Sequence, residues 1–559
     1  PGHVGVHAIW INPRNPNHII NGNDGGIDVS YDQGKTWISI KTMPTALSYV
    51  VSADMRRPYW VCTGLQDNGS WCGPSSKRNN VGIVNSDWFN IGGGDGFYTA
   101  QDPVDYNVVY AESQNGNTNR IELAVGRTVS IRPVAPPDPA AQGGRGGGPG
   151  GGGGGGGGGF GGRGNPNVLN AARGDQYRFN WNTPFKISPH NPNVIWLGGN
   201  RLFKSYNRGD TWIASPDLTR QYDRNTHTIM GVPGNYSMLS KNDGISQYST
   251  IVTLSESPVR PGIVWVGTDD GLVQVTRDDM ATFTEVGRNI PGLPPGHMYW
   301  ISRVVASAHD SATAYVAVDG HRSNDLKPYL YVTRDFGRSW TSIAGNLPSY
   351  GNIQVVAEDP KNPNLLFVGT EFGLYVSLDG GSSWQKFMNN YPTVRTDDIL
   401  VHPRDGDLVV GTHGRGIYIA DDITPLQQLT SAVLGADAHL FDIRPAVAWI
   451  NDRKLGQQIT GQQVFVGENA PRGTFISYYL KAGSQGPVKI TITDATGRVV
   501  RTLEGTGERG INRVLWGGVL LYRREASNRE MRVMPDLPAT ILSQASATAL
   551  PTGDTIPRP

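Results

Sequence analysis

A chain of 559 residues has room for several ordinary domains or for one large repeat domain with additions. Only 17% of residues are charged and the formal net charge is +1, which argues against a broad nucleic-acid-binding face. The apolar runs, such as Leu365 to Val368, are strand-length and fall far short of the roughly 20 residues of a membrane helix, so no membrane span is expected. Glycine (73) and proline (38) are abundant, which suits many short strands joined by turns.

In chain order, the first unit, near 7–40, holds the turn Asn23-Asp24-Gly25-Gly26 and then Ser30-Tyr31-Asp32-Gln33-Gly34-Lys35-Thr36-Trp37. That second segment recurs as Ser205 to Trp212 with Asn207 in place of aspartate, as Thr333 to Trp340 with Asp335, and as Ser377 to Trp384 with Asp379. A worn copy spans Thr276 to Phe283. The physics is that of a hairpin turn. The Asp carboxylate accepts backbone N–H groups, glycine permits positive φ, and the tryptophans Trp37, Trp212, Trp340 and Trp384 can pack between sheets.

The grammar around each copy is strand A, an Asn-Pro link, strand B, a Gly-Thr turn, strand C, the repeated turn, and strand D. It predicts units near 7–40, 47–90, 96–132, 184–214, 248–286, 299–343 and 353–387, and an eighth at 397–420 that lacks strand D. Four antiparallel strands per unit is the content of a propeller blade. The expected fold class is therefore all-β, a seven- to eight-bladed β-propeller over residues 1–425. The missing strand is expected from sequence upstream of Pro1, which reads as a processing point or a fragment end, or from another chain. The glycine-rich stretch 142–164 reads as a surface loop. Residues 426–460 read as a connector, 461–518 as a small immunoglobulin-like module, and 519–559 as a poorly ordered tail.

Two cysteines, Cys62 and Cys72, lie symmetrically about Asp67 in the run Leu65-Gln66-Asp67-Asn68-Gly69. A hairpin there sets them opposite one another, within disulfide reach; two free thiols are the alternative. A bridge would imply an oxidising compartment, extracellular, periplasmic or at the cell envelope.

Strand alternation puts the B–C turns and the D–A crossovers on one face and the repeated Asp turns on the other. The B–C face is the expected binding surface, carrying Asp24, Gln66, Asn200, Asp269, Glu371, His413 and Arg415, with Asp67 and Asp95 as candidate catalytic carboxylates. Asp, Asn and Gly are also what tight turns prefer, so convergence on one face is the stronger signal. The repeated-turn aspartates are expected to be structural. No HExxH, cysteine cluster or GxSxG motif is present, and neither a metal nor a cofactor is expected.

The repeated turns, the Asn-Pro links and the Gly-Thr-x-x-Gly-Leu turns resemble those of Asp-box (bacterial neuraminidase repeat) propellers, of the sortilin-like and bacterial glycosyl-hydrolase-like group. The stretches His7 to Pro13, Leu65 to Trp71 and Ser215 to Thr219 carry the likeness, and Tyr478 to Trp516 looks like that group's C-terminal immunoglobulin-like module. The resemblance implies the fold more firmly than an activity. Sortilin-type propellers bind peptides in the channel, and xyloglucanases use an aspartate pair in a cleft between two propellers, of which this chain would supply one half. Three functions follow as expectations: a secreted or envelope-associated propeller binding a peptide or glycan, a glycoside hydrolase with paired carboxylates, and a scaffold assembling through open strand edges.

Overall fold

The computed structural model describes the chain except for residues 1, 2, 4, 80, 139–164, 230, 236, 237, 239, 240, 242–244, 246, 448, 449, 451, 453–460, 518, 519, 523–531 and 535–559. The glycine-rich stretch and most of the tail therefore lie outside the described residues. Within the latter region the backbone of Leu520–Tyr522 pairs with Arg532–Met534, where no strand pattern was read.

The protein is all-β, and its strands form successive antiparallel sheets, most of them four-stranded and consistent with propeller blades. Sheet 1 holds Val6–Ile11, Ile19–Asn23, Gly26–Ser30 and Ile38–Ile40; sheet 2 holds Ser48–Ala53, Trp60–Leu65, Gly69–Pro74 and Phe89–Gly92. Sheet 3 runs from Gly96–Gln101 to Arg127–Ser130 and sheet 4 from Phe185–Ile187 to Ile213–Asp217. Sheets 5, 6 and 7 begin at Ile251–Glu256, Trp300–Ala306 and Ile353–Glu358. Sheet 8 has three strands, Thr396–Val401, Leu408–Thr412 and Ile417–Ala420.

The repeated turn has one geometry throughout. In the first copy the Thr36 N–H and hydroxyl donate to the two Asp32 oxygens at 2.8 and 2.7 Å, and the Gly34 N–H donates to Ser30 Oγ at 2.8 Å. Asp278, Asp335 and Asp379 repeat this with Thr282, Ser339 and Ser383; Asn207 accepts the Thr211 N–H but donates its amide to the Thr211 hydroxyl. The Thr36 hydroxyl, then its N–H, hold the Asp32 carboxyl down to about 2. Positive φ recurs at the fourth and fifth positions, and the worn copy places Met280 there at φ 75°.

In three copies the tryptophan that ends the turn ties its sheet to the one before. Trp212 Nε1 donates to Ile131 O at 2.7 Å, Trp340 to Val286 O at 3.1 Å and Trp384 to Ile343 O at 2.8 Å. Apolar clusters fill each junction from sheet 2 to sheet 8. Sheet 8 then packs on sheet 2: Val409, Leu400, Ile417 and Ile419 share a core with Val51, Tyr59 and Val61. Val51 N–H donates to Asp398 Oδ2 at 2.9 Å, and the His402 ring meets Asp54 O at 2.9 Å.

Sheet 1 stands apart. None of its large apolar side chains is buried, and Val6, Ile9, Trp10, Ile11 and Ile38 are exposed. Trp37 Nε1 donates to Gly34 O of its own turn at 3.0 Å rather than to another sheet. Its B–C turn nevertheless touches sheet 2, where Asn68 Nδ2 donates to Asp24 O at 3.0 Å.

Past sheet 8 come two short helices, Thr424–Gln427 and Ser431–Gly435. A strand, Ala438–Leu440, pairs with Thr474–Leu480, which pairs in turn with Gly510–Trp516. Val488–Thr493 and Val499–Gly505 form a second, two-stranded sheet. Ile443, Ile476, Ile492 and Trp516 make the small core of this unit. Arg444 anchors it to sheet 8 through Asp407 at 2.7 Å.

Cys62 and Cys72 are paired in the ladder, fully buried and joined as a disulfide.

Candidate functional site

Several B–C turns and crossovers between sheets carry polar side chains that meet through hydrogen bonds. In sheet 2 the hairpin turns through Asp67 (φ 59°) and Gly69 (φ 74°), which lifts Gln66 and Asp67 to the surface. Asp95, at the start of sheet 3, is 6% exposed; its Oδ1 accepts the Asp67 N–H at 2.6 Å and its Oδ2 accepts Gln114 Nε2 at 2.8 Å. The Asp95 carboxyl also lies close enough to that of Asp67 to act on it directly. Burial, then Asp95, and at longer range Asp24 push the Asp67 carboxyl above the ordinary range. Through the Asp67 N–H the two residues touch directly, whereas two carboxylates flanking a glycosidic bond stand about 5–5.5 Å or about 6.5–9.5 Å apart.

Asp24, from sheet 1, faces this hairpin. The His7 ring meets its Oδ1 at 2.5 Å, and His3, whose Nε2 lies 2.9 Å from Asp67 O, sits between the two turns. Tyr49 donates to Gln66 Oε1 at 2.6 Å. Its hydroxyl is held in the neutral form by burial and then by Asp95 and Asp397.

Through Tyr49 the site continues to sheet 8. Arg395 Nε donates to Asp397 Oδ1 at 2.6 Å, and the His413 ring lies 3.2 Å from Asp397 Oδ2. Burial opposes the charge of Arg395, and Asp397, Glu371 and Asp319 more than restore it. Arg415 is exposed in the same turn, where its N–H donates to Thr412 Oγ1 at 3.1 Å.

Asn200 and Asp269 sit differently. Both are buried, at 2% and 1% exposure. Asn200 Oδ1 accepts the Arg178 N–H at 2.9 Å and its Nδ2 donates to Asp217 at 2.7 Å. Asp269 accepts the Thr250 N–H and hydroxyl, both at 2.8 Å. Burial, then the charge of Asp270, push its carboxyl up to about 8, so it is largely neutral near pH 7. These two residues brace the excursion between sheets 4 and 5, which also reaches Asp270 through the Arg220 N–H at 2.8 Å. Turn position and polarity alone do not separate such braces from surface groups.

Several residues of this face carry no motif in the sequence. Tyr49, Arg395 and Asp397 lie at the ends of innermost strands. Below them, Arg303 pairs with Asp398 at 3.0 Å, and Lys186 lies 5.9 Å from the centre of the Tyr98 ring. Lys186 is water-exposed, yet burial lowers the affinity of its amine for a proton.

Comparisons with known proteins give partial matches. No protein-family model matches the chain. It is 29% identical over 141 residues to a xyloglucanase of Hypocrea jecorina, covering 23% of this chain and 16% of that protein. It is 26% identical over 168 residues to an oligoxyloglucan-reducing end-specific xyloglucanase of Emericella nidulans, covering 28% of this chain and 17% of that one. The matches thus span about a sixth of those relatives. Among solved structures it is similar to the extracellular domain of the putative one component system BT4673 from B. thetaiotaomicron, at a TM-score of 0.42 and 12% identity over 92% of this chain and 59% of that one. It is also similar to the computationally designed Ika8 protein, at 0.36 and 10%, covering 75% and 97%.

Proposed function

We propose that this chain is a carbohydrate-binding β-propeller that takes a glycan across the face carrying its B–C turns. In this reading sheets 2–8 close as a seven-bladed ring of Asp-box blades, and sheet 1 is a blade outside that ring. The unit from Ala438 onward is then an immunoglobulin-like module. What supports the reading is that B–C turn residues of four sheets, Asp24, Gln66, Asp67, Glu371, His413 and Arg415, all reach water. The two fungal relatives named as xyloglucanases favour a glycan over a peptide. The buried Cys62–Cys72 disulfide supports an extracellular or periplasmic location.

A second reading, hydrolysis, draws support from the Asp67 carboxyl. Held above its ordinary range beside Asp95, it is suited to donate a proton to a leaving oxygen. The facing carboxylate in that case is Asp24 rather than Asp95. Screening the protein against soluble polysaccharides by affinity electrophoresis, with a reducing-end assay on the same samples, tests both. Retardation by a glycan that weakens in Gln66→Ala and Arg415→Ala is expected. Release of new reducing ends, abolished in Asp67→Asn and in Asp24→Asn, would establish hydrolysis. Retardation by no glycan, with capture of a peptide at the same face, would overturn the reading.

A further inference from the structure

On the same face, away from the carboxylates, two large aromatic side chains stand in water. Tyr350, in the crossover from sheet 6 to sheet 7, is 59% exposed, and Phe372, in the B–C turn of sheet 7, is 42% exposed. Their rings lie 17° from parallel with centroids 5.7 Å apart. At this separation the rings are offset-stacked, one partly over the other, so the pair presents a stepped aromatic surface to water. Beneath it is a small cleft of about 60 Å³, lined by Pro328, Leu347, Pro348 and Tyr375.

The backbone holds both rings in place. Gly351 N–H donates to Leu326 O at 2.8 Å, and Glu371 N–H donates to Asn352 O at 3.1 Å, tying the two loops together. Gly351 has φ 129°, and a Cβ there would stand 3.1 Å from the Phe372 ring. The pair is therefore built into the turn. Exposing two rings to water has a hydrophobic cost that nothing in sheet 7 offsets.

We propose that Tyr350 and Phe372 form a stacking platform for a neutral, β-linked glycan, extending the glycan site by further sugar units. The inference rests on the carbohydrate-binding reading above and adds where the chain runs and which sugars it carries. A β-linked pyranose with equatorial hydroxyls presents a flat face of C–H groups, which matches the face of an aromatic ring in shape and polarity. The cleft beneath has room for one small exocyclic group such as a hydroxymethyl, about the space of one or two waters. Glu371 immediately precedes Phe372 and is among the carboxylates that keep Arg395 charged. It accepts sugar hydroxyls and repels a uronate, so the platform selects neutral sugars, and its link to Arg395 joins the platform to the glycan site. A proline-rich peptide fits less well, because the cleft is too small to seat its side chains.

The test is calorimetric titration of the full chain with neutral β-glucan oligosaccharides of increasing length. It uses wild type, Tyr350→Ala, Phe372→Ala, the double variant and Tyr350→Phe. Both rings are substantially exposed, so the variants are expected to melt as wild type does. The expected result is a gain in affinity with length in wild type that stops growing in the double variant, each ring accounting for about tenfold. Tyr350→Phe keeps the gain, and acidic oligosaccharides of the same length bind more weakly. Equal affinities of wild type and double variant at every length would overturn the platform while leaving glycan binding at the other B–C turns intact. Tighter binding of the acidic series, or competition at the rings by a proline-rich peptide alone, would overturn the choice of ligand. No glycan binding by wild type would remove the platform and the parent reading together.

Discussion

The repeated turn places one tryptophan per copy at the same sequence position, and the fold gives those positions different energies. Trp340 is 6% exposed, sits edge-on to Trp265 with centroids 6.1 Å apart, and donates to Val286 O of the preceding sheet. Trp340→Ala removes about 200 Å² of buried surface, worth about 5 kcal/mol at about 25 cal/mol per Å². It also removes one of two donors from the Val286 carbonyl, which keeps the Asn289 N–H at 3.2 Å, so that loss adds little. Partial collapse of the site offsets some of this, and about 4 kcal/mol is the expected loss. Trp37→Ala removes a half-buried ring that bonds only to its own turn, and the expected loss is about 1 kcal/mol or less. Amide hydrogen exchange resolves the two variants locally. Trp340→Ala should deprotect the adjoining strands of sheets 5 and 6, whereas Trp37→Ala should leave every sheet but the first unchanged. Equal losses, or deprotection of sheet 8 in Trp37→Ala, would refute the argument that sheet 1 lies outside the stacked sheets.

Gly64→Ala should be severely destabilising, by more than about 3 kcal/mol, because its Cβ would fall 2.2 Å from the backbone of Gly96 and Phe97. Gly93→Ala, with nothing within 4 Å of the added carbon, should melt within about 0.5 kcal/mol of wild type in the same urea titration. Burial, then the charge of Asp270, lift the Asp269 carboxyl to about 8, against about 3.9 for an unperturbed aspartate. It therefore stays protonated in the fold while the unfolded chain ionises. Stability falls as pH rises between those values, and the Tm of Asp269→Asn should decline less than wild type from pH ~5 to pH ~8. Parallel curves would show that Asp269 is ionised in the fold. Removing the disulfide with Cys62→Ala and Cys72→Ala together opens a loop with a sequence separation of 10. Chain entropy sets the loss at about 3 kcal/mol, read as a lower urea midpoint; an unchanged midpoint would mean the bridge does not form.

Local chemistry made much of the architecture legible. The repeated turns, the Asn-Pro links and the alternating apolar strands located every unit from 7 to 420 to within a few residues. Each depends on hydrogen bonds between residues close in sequence, as the Asp32–Thr36 contact illustrates. The cysteine hairpin was legible as a pairing geometry for the same reason. The site was legible only in outline. The face was readable from strand alternation, but turn polarity is the same for a surface group such as Gln66 and a buried brace such as Asp269. The direct contact of Asp67 with Asp95, the junction of Arg395 with Glu371, and the stacking of Tyr350 on Phe372 join residues from different turns or sheets. Those neighbours are set by how the sheets pack, through close approaches such as Gly64 on Gly96 and the core shared by sheets 8 and 2. The same packing leaves the faces of sheet 1 bare although its sequence has the pattern of the others. The sequence by itself determined the strands and their turns, because those bonds are local. Only the tertiary structure decided which sheets meet and which side chains share the site, because contacts between sheets depend on the packing of all of them.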